Sequence, residues 1–381
     1  MTGEDLPAML DLLRRLVELD SPTADHAACA AVLDLLHAEF AELGAEVGRH
    51  AATGGSPVLV ASWGAGPGRP LVLGHVDTVF GPGESARRPF TVDGGWARGP
   101  GVFDMKGGLV QLVFALRALR AGGVQPRLSV LLNADEEIGS PASESLIRAE
   151  AAGCRCALVL EPAGPGGALK STRKGIAMYR IEVDGIAAHP GLDPGRGVNA
   201  ITELAGHLLA LESLASPAAG TTVNIGTVTG GTGRNVVPAA AAAEFEARFW
   251  TAAELRRVDT AVRAVLPDRG GAVVRVTGGV HRHPLERTEQ VARLVELARS
   301  AARADGWDLS EQRVGGVSDG NITAALGVAT LDGLGVEGSG AHSVTEAVDV
   351  VALPRRVRLL ASVLRQVMSE PSASAEVQER R

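Results

Sequence analysis

The alternation of short apolar runs with amphipathic helical segments most constrains how this chain can fold. Helical periodicity is present in the segments 5–19, 27–44 and 106–120. The apolar runs between and after them are four to six residues long and lie at 58–63, 71–74, 128–133 and 157–161. Runs of this length, bounded by Gly, Pro or charged residues, are typical of buried strands. The pattern predicts an α/β fold with a mixed, mainly parallel sheet and helices on both faces.

The middle third of the chain has a different pattern. Its strand-like segments are longer and partly alternate between apolar and polar residues, at 176–184, 221–229, 241–250 and 272–277. Two helical segments, 199–214 and 252–266, lie between them. Partial alternation is typical of a sheet with one solvated face. We therefore predict a smaller α+β insert made of one sheet and two helices.

The α/β pattern resumes after Pro284, so the main domain is predicted to be discontinuous. Its resumed elements are helices at 288–304, 318–326 and 354–367 and a strand at 328–331. We expect residues 1–173 and 285–368 to form the main domain and residues 174–284 to form the insert. The polar segment 369–381 is expected to be a disordered tail.

Composition excludes several classes of function. The 381 residues include 37 Lys+Arg and 44 Asp+Glu, a net charge of -7 that argues against nucleic acid as a partner. No apolar run reaches the roughly 18 residues that span a membrane, and the N-terminus lacks the pattern of a secretory signal. Three cysteines are too few for a disulfide framework, which favours a reducing compartment. We expect a cytoplasmic protein.

Acidic and imidazole side chains follow the predicted strands and the glycine-rich turns. His75 and Asp77 come directly after an apolar strand and, two residues apart, point to the same face. Ligand sites in α/β sheets lie at the carboxyl ends of the strands, where such residues meet. The candidate set is His75, Asp77, Asp104, Glu136, Glu137, Glu161 and His342.

This set of residue types points to a metal site. Carboxylates at the end of an apolar strand are costly unless a positive charge holds them. Two histidines with several carboxylates and no cysteine favour Zn²⁺, Co²⁺ or Mn²⁺. A spare carboxylate could bridge two metals for hydrolysis, while one of the twin glutamates binds metal and the other abstracts a proton from water.

Each feature alone has an ordinary structural explanation. A histidine two residues before an aspartate often occurs by chance, and paired glutamates usually lie on a solvated surface. His342 could be an ordinary loop residue, and Glu161 could simply begin a turn before proline. The joint occurrence of all of them at strand ends or glycine-rich turns is what favours a site.

The motifs resemble those of the dinuclear zinc peptidases and deacylases. This family includes glutamate carboxypeptidase, aminoacylase, acetylornithine deacetylase and succinyl-diaminopimelate desuccinylase, and the similarity is closest to glutamate carboxypeptidase. The matching segments run in family order from about residue 70 to 345: GHVDTV, GPGVFDMKGG, NADEEIGS, LEP, AAHPG, GRNVVP, FEARF, GVSDGN and GAHS.

The resemblance implies a role for each candidate. Asp104 would bridge two Zn²⁺ ions, with Co²⁺ or Mn²⁺ as possible substitutes. Glu136 would be the general base, and Asp77 would hydrogen-bond His75 and fix its tautomer. The ligands implied for one metal are His75, Asp104 and Glu161, and those for the other are Asp104, Glu137 and His342.

The insert would be the family's lid and dimerisation domain. His189 would reach the partner subunit's active site in a homodimer and stabilise an oxyanion. Asn235 and Arg248 would bind the substrate carboxylate, a task that suits the bidentate arginine fork. Arg282 is a candidate for a second carboxylate, with His281 and His283 as rivals, because the spacing in VTGGVHRHPLER departs from that of the glutamate carboxypeptidases.

The implied reaction is hydrolysis of an amide next to a free carboxylate, acting on a small peptide or an N-acyl amino acid. In the family, a glutamate at position 161 goes with carboxypeptidases and deacylases, and an aspartate with aminopeptidases. A biosynthetic deacylase, acting on a metabolite such as acetylornithine or succinyl-diaminopimelate, remains an alternative. A catalytically inactive relative that binds metal or ligand is the third hypothesis.

Overall fold

The computed structural model describes residues 5–369. The predicted tail therefore lies outside the described residues, except for Ser369, which ends the last helix. The helices are α1 (Leu6–Val17), α2 (His26–Glu42), α3 (Glu84–Arg87), α4 (Gly107–Ala121), α5 (Glu144–Ala151), α6 (Ala200–Glu212), α7 (Ala252–Arg263), α8 (Glu289–Ala304), α9 (Gly320–Ala325) and α10 (Leu353–Ser369).

The strands are short in the main part of the chain and longer in its middle third. They are β1 (Glu46–Ala51), β2 (Pro57–Ser62), β3 (Leu71–His75), β4 (Thr91–Asp93), β5 (Trp96–Arg98), β6 (Ser129–Asn133), β7 (Cys156–Val159), β8 (Leu169–Arg173), β9 (Gly175–Asp184), β10 (Thr222–Gly230), β11 (Ala240–Phe249), β12 (Val273–Arg282), β13 (Glu311–Val314), β14 (Ala329–Leu331), β15 (Gly338–Ser339) and β16 (Ala347–Asp349).

The chain divides into two compact units. The insert unit consists of Thr172–Glu286 together with the short segment Gly315–Val317. The larger unit contains the described residues up to Ser171, the segment Arg287–Val314, and the described residues from Ser318 onward. No helix among residues 5–369 is both long enough and apolar enough to cross a membrane.

A six-stranded sheet forms the centre of the larger unit, in the order β1-β2-β6-β3-β7-β14. Strands β6, β3, β7 and β14 are parallel, whereas β2 pairs antiparallel with both β6 and β1. The mixed, mainly parallel sheet predicted from the sequence is confirmed. Because β3, β6 and β7 are parallel, the residues that follow them emerge at one edge.

Helices cover both faces of this sheet, as the burial along β3 illustrates. Val72 packs in a cluster with α1, α2, α4, α8 and α10, whereas Leu71 and Leu73 pack in a second cluster with α5 and α9. Successive side chains of a strand point to opposite faces, so a strand buried on both sides reads as a continuous apolar run. This is why β3 has no polar residue before its last position.

The insert unit contains a four-stranded antiparallel sheet in the order β10-β11-β9-β12. One face packs against α6 and α7, and β9 contributes Tyr179, Ile181 and Val183 to that core. Met178 and Arg180 on the opposite face of β9 are exposed. The insert thus has one helix-covered face and one uncovered sheet face within its own unit.

Several short elements had no clear signal in the sequence. Strand β1 is largely exposed, and a small sheet, β15-β16-β5-β4, is built from strands of two or three residues. Strand β12 extends to Arg282, although its predicted end was residue 277, because Gly278 and Gly279 interrupt the side-chain pattern without ending the strand. Apolar periodicity cannot detect strands that bury few side chains.

Arg356 is a fully buried cation in α10 that binds loops of the larger unit. Its guanidinium donates hydrogen bonds of 2.8 to 2.9 Å to the carbonyl oxygens of Gly167, Gly333 and Gly335. A buried charge is tolerated when its donors are satisfied. Arg356 therefore holds two loops, the one that contains Gly167 and the one that contains Gly333 and Gly335, on one side chain.

We expect Arg356→Met to lower the free energy of unfolding by about 3 kcal/mol, because three buried carbonyl oxygens lose their donors. Urea denaturation measures the loss. Arg358→Met is the matched control, since Arg358 makes only a partly exposed ion pair with Asp305 and should cost under about 1 kcal/mol. Equal stabilities of the two variants would contradict this role for Arg356.

Candidate metal centre

Three parallel strands deliver side chains to one edge of the central sheet. His75 is the last residue of β3, Glu136 and Glu137 follow β6, and Glu161 follows β7. His75 is 1% exposed and Glu161 is 8% exposed. The carboxyl ends of the strands therefore bring together side chains that are separated by up to 86 positions in the sequence.

Asp104 reaches the same edge from the turn Val102–Lys106 ahead of α4. The peptide bond between Asp104 and Met105 is cis. Gly101 enters the turn with φ +71°, and a Cβ at this position would lie 2.6 Å from the Thr78 side chain. Only glycine fits this combination of backbone angle and close packing.

His342 completes the group from the loop between β15 and β16. Its φ is +62°, a left-handed conformation that is uncommon for a residue other than glycine. Such backbone conformations concentrate at functional sites, where the surrounding structure maintains them. The side chain is 53% exposed, unlike that of His75, so the group opens to solvent on the His342 side.

The two carboxylate oxygens of Asp104 face two different histidines. Oδ1 lies 3.3 Å from His75 Nε2, and Oδ2 lies 3.3 Å from His342 Nε2. Each imidazole also has a glutamate beside it: Glu161 Oε1 is 3.5 Å from His75 Nε2, and Glu137 Oε2 is 3.0 Å from His342 Nε2. Asp104 thus lies between two similar sets of potential ligands.

Several buried atoms of this group lack a hydrogen bond. Within residues 5–369, His75 Nε2, Asp104 Oδ1 and Glu137 Oε1 are buried and have no hydrogen-bond partner, despite the short distances between them. Their ligand atoms lie within 4.8 Å of one another, and Glu136 and Glu161 form a second such group with His75. Nitrogen and oxygen atoms that lack a hydrogen-bond partner and lie around one point fit the ligands of a divalent cation such as Zn²⁺.

Burial and mutual charge shift the pKa values of the group. Burial lowers the pKa of His75, but the adjacent carboxylates, Asp104 first, outweigh it and hold that pKa well above its usual value. Contacts with Asp104 and Glu137 raise the pKa of His342 to about 10. Burial, followed by repulsion from Glu161, raises the pKa of Glu136. Without a cation the site holds protons, which metal binding must displace.

Asp77 supports both the histidine and the twin glutamates. Its backbone oxygen lies 3.0 Å from His75 Nδ1, whereas its carboxylate is 3.4 Å from that nitrogen. The carboxylate accepts the backbone N–H groups of Glu136 at 3.3 Å and Glu137 at 3.2 Å, and the hydroxyl of Thr23 at 2.8 Å. The sequence indicated the contact with His75 but not that Asp77 also orders the glutamate turn.

Further supporting residues were not among the sequence candidates. Asp319, which is 5% exposed, accepts hydrogen bonds from Ser140 and from Asn133 at the end of β6. Lys170 Nζ lies 4.0 Å from Glu161 Oε2. Asp319 falls within the GVSDGN motif, so a signal for it existed, whereas nothing in the local sequence distinguished Lys170 from a surface lysine.

The remaining sequence candidates lie in the insert unit. His189 and Asn235 are exposed, and Arg248 pairs with Glu246 at 2.8 Å. Arg282 is 4% exposed and donates to the carbonyl oxygen of His281 at 2.9 Å. Their roles toward a substrate stay predictions.

The hydrogen bonds of His189 define which of its two ring nitrogens can donate. Its Nδ1 accepts the backbone N–H groups of Gly191 and Leu192, both at 3.1 Å. An imidazole that accepts at Nδ1 carries its proton at Nε2 when neutral. Nε2 is therefore a hydrogen-bond donor on an exposed turn.

A third cluster of potential ligands, in the insert unit, has a structural explanation. It consists of Glu203, His207 and Asp268. Glu203 Oε1 accepts the backbone N–H groups of Asp268 and Arg269, and Arg269 Nε lies 3.5 Å from Oε2. These contacts fasten α6 to the segment after α7.

Glu346 is the most important residue that the sequence analysis missed. It is 1% exposed, and its carboxylate accepts the backbone N–H groups of Gly101, Phe103 and Asp104 at 2.8 to 2.9 Å. Burial raises its pKa to about 7. Glu346 lies four residues after His342, so it ties the Asp104 turn to the His342 loop.

We expect Glu346→Gln to weaken metal binding by about 10-fold or more, the usual effect of losing a group that orients a ligand. An amide places an N–H group against one of the three backbone N–H donors, so the Asp104 turn loses support. Competition with a chelating dye measures the affinity. Glu337→Gln is the control, because Glu337 is also buried, at 8% exposed, but pairs with Arg355 instead. Equal affinities in the two variants would contradict the role of Glu346.

Comparisons with known proteins indicate the family of this chain. The model of peptidase family M20/M25/M40 matches residues 71–366. Carboxypeptidase G2 from Pseudomonas sp. (strain RS-16) is 32% identical over 374 residues, which cover 95% of this chain and 89% of that protein.

Solved structures have the same fold. Aminopeptidase PepT from Bacillus cereus ATCC 10987 is 25% identical with a TM-score of 0.78, covering 96% of this chain and 99% of that chain. The metallo-carboxypeptidase Sso-CP2 from Sulfolobus solfataricus is 17% identical with a TM-score of 0.66, covering 96% and 99% respectively. The resemblance found in the sequence is confirmed: the chain belongs to peptidase family M20/M25/M40.

Proposed function

We propose that this protein hydrolyses an amide bond next to a free carboxylate and releases an amino acid from a small peptide or an N-acyl amino acid. One observation carries the proposal. Asp104 presents one carboxylate oxygen to His75 and the other to His342, at 3.3 Å each, with a glutamate beside each imidazole. A carboxylate between two such ligand sets suits a two-metal hydrolytic site.

The proposed cofactor is a pair of Zn²⁺ ions, with Co²⁺ or Mn²⁺ as substitutes. Asp104 would be shared between His75 with Glu161 on one side and His342 with Glu137 on the other. When bound, the two cations would polarise the scissile carbonyl and lower the pKa of a water molecule. The orphaned buried atoms of His75, Asp104 and Glu137 support this assignment.

Glu136 is the proposed general base. The Asp77 carboxylate accepts the backbone N–H of Glu136. The Glu136 carboxylate lies within 4.8 Å of potential ligand atoms of His75 and Glu161. Burial, followed by repulsion from Glu161, raises the pKa of Glu136, which makes its carboxylate a stronger acceptor for a proton from water that it later returns to the leaving nitrogen. Glu136 thus acts first as base and then as acid.

Glu161 favours release of a C-terminal amino acid over release of an N-terminal one. A glutamate at this position is the residue that the resemblance associates with carboxypeptidases and deacylases. Carboxypeptidase G2, 32% identical to this chain, bears a name that agrees with this direction. Arg248 and Asn235 are the proposed partners of the substrate carboxylate, while a role for Arg282 in selecting glutamate stays a prediction.

We also propose a homodimer formed through the insert, in which His189 Nε2 donates to the oxyanion in the partner subunit's site. The tautomer that the Gly191 and Leu192 N–H groups favour supports a donor role. A cytoplasmic location is proposed from the cysteine content, since three cysteines are too few for a disulfide framework.

A hydrolysis screen tests the proposed function directly. Dipeptides and N-acyl amino acids are supplied to metal-free protein with Zn²⁺, Co²⁺ or Mn²⁺ added separately. We expect hydrolysis of substrates with a free carboxylate and none of the same substrates as methyl esters or amides. Activity confined to acetylornithine or succinyl-diaminopimelate would indicate a biosynthetic deacylase, and no hydrolysis with any metal would contradict the proposal.

We expect Glu136→Gln and Glu137→Gln to differ, although the residues are adjacent. Glu136→Gln should keep two metal ions per chain and lose at least about 10³-fold in kcat, the contribution typical of a positioned base. Glu137→Gln should instead lose bound metal, and its loss of activity should follow from that. Elemental analysis of dialysed protein and steady-state kinetics separate the two effects, and near-normal turnover of Glu136→Gln would remove it as the base.

Mixing inactive subunits tests the shared site. If His189 acts across a dimer, His189→Ala and Glu136→Gln subunits should regain up to about a quarter of normal activity after exchange, because one site of each mixed dimer has both residues intact. Native mass spectrometry confirms the exchange. Absence of any recovery in confirmed mixed dimers argues that His189 acts within its own chain or not at all.

A further inference from the structure

A buried aspartate outside the set of candidate ligands joins both ends of the loop that carries the twin glutamates. Asp319 is 5% exposed, and its Oδ2 accepts a hydrogen bond from the Asn133 amide at 2.7 Å. Its Oδ1 accepts the hydroxyl of Ser140. Asn133 is the last residue of β6, and Ser140 follows the glutamate turn. One carboxylate therefore closes the loop 133–140.

Backbone hydrogen bonds make this loop a tight turn. The N–H group of Gly139 donates to the carbonyl oxygen of Glu136 at 2.7 Å. The N–H group of Ser140 donates to the carbonyl oxygen of Asp135, also at 2.7 Å. Ser140 has a φ of +51°, a left-handed conformation that is uncommon for a residue other than glycine. Surrounding contacts maintain such a conformation, and the bond to Asp319 is one of them.

Further buried contacts support the same loop from the start of α5. The Asn133 amide donates to the Ser143 hydroxyl at 2.9 Å, and that hydroxyl donates to Asp135 Oδ1 at 2.5 Å. Asn133, Ser140 and Ser143 are fully buried. Buried polar side chains that hydrogen-bond one another rigidify the segments to which they belong. The loop is thus held as a unit against the end of β6.

The side chain of Asp319 serves this loop rather than its own helix. Asp319 is the N-cap residue of α9, a position at which aspartate ordinarily accepts an N–H group of the first helical turn. In the described part of the chain its side chain makes no such capping bond. Ser318 has a local role instead, since its hydroxyl donates to Asp332 at 2.6 Å and accepts the Gly320 N–H group at 3.1 Å. Asp319 therefore connects the GVSDGN motif to the glutamate loop.

Asp77 and Asp319 hold the loop at different points. Asp77 accepts the backbone N–H groups of Glu136 and Glu137 in its middle, at 3.3 and 3.2 Å, which is long for such bonds. Asp319 holds the two ends. Because a misplacement of about 1 Å can lower the rate of an enzyme by about 100-fold, the position of the loop ends matters for a general base between them.

We propose that Asp319 is a positioning residue for the hydrolytic reaction, which holds the loop 133–140 so that the carboxylates of Glu136 and Glu137 stay at the candidate metal centre. This inference rests on the proposed function, in which Glu136 is the general base and Glu137 is a ligand. Asp319 acts through Ser140 and Asn133 and has no role of its own toward the substrate.

Ser140→Ala and Thr330→Val are the matched pair that tests the proposal. Each replaces one fully buried hydroxyl with an apolar group, but Thr330 lies on β14, where it hydrogen-bonds Thr323 at 2.8 Å. At saturating metal we expect Ser140→Ala to lower kcat by about 10-fold with KM unchanged, since one of the two Asp319 contacts remains. Thr330→Val should leave both constants unchanged. Equal kcat values in the two variants would overturn the proposal.

Metal binding gives a readout that needs no substrate. Because Glu137 lies on the same loop, Ser140→Ala should weaken metal binding by about 10-fold in competition with a chelating dye, and Thr330→Val should not. If the wild-type protein hydrolyses no peptide or N-acyl amino acid with any metal, the proposed function fails, whereas a difference between these two affinities still supports the positioning role. Equal affinities would overturn that role.

Variants of Asp319 separate the bridging contacts from the charge. Asp319→Ala removes both contacts, so we expect kcat to fall by about 100-fold. Asp319→Asn should keep most of the wild-type kcat, because its carbonyl oxygen can accept the Asn133 amide and the Ser140 hydroxyl can turn to accept its N–H group. Equal losses in the two variants would overturn the bridging role. If Asp319→Ala does not fold, Ser140→Ala decides the question.

Discussion

The position of the Asp104 carboxylate between two imidazoles is the constraint on which the rest of the site depends. Each oxygen faces a different histidine at 3.3 Å, so a shift of the turn would disturb both halves of the group at once. The turn is held by Glu346, which accepts three of its backbone N–H groups. Since Glu346 and His342 belong to the same loop, the Asp104 carboxylate and His342 are positioned together.

The fold lowers the free-energy cost of burying several carboxylates close together. Burying several anions together is unfavourable unless cations or hydrogen-bond donors surround them. The parallel strands place His75, Glu137 and Glu161 at a common edge, where the chain leaves the sheet and polar groups are accessible. Asp77, which is fully buried, is satisfied by backbone N–H groups instead. The hydrogen-bonded carboxylate of Asp77 thus supports the structure, whereas Asp104 and Glu137 have buried oxygen atoms without a hydrogen bond, which fit a metal.

The sequence was most informative where burial was continuous along the chain. His75 and Glu161 could be placed at strand ends because β3 and β7 are uninterrupted apolar runs. The sheet predicted from such runs is confirmed, and so is the family that the motifs resemble. Glu346 could not be found, because its role depends on a turn more than 240 positions away and its local sequence resembles an exposed loop. The roles of individual site residues stay predictions, since the sequence shows residue types and order but not which atoms meet.

We propose that a single aspartate joins two cations held by ligands from distant parts of the chain. Diffraction from zinc-loaded crystals at the zinc absorption edge tests it most directly. We expect two anomalous peaks about 3.5–4 Å apart, each within bonding distance of one oxygen of Asp104. A single peak, or two peaks that do not share Asp104, would contradict the account.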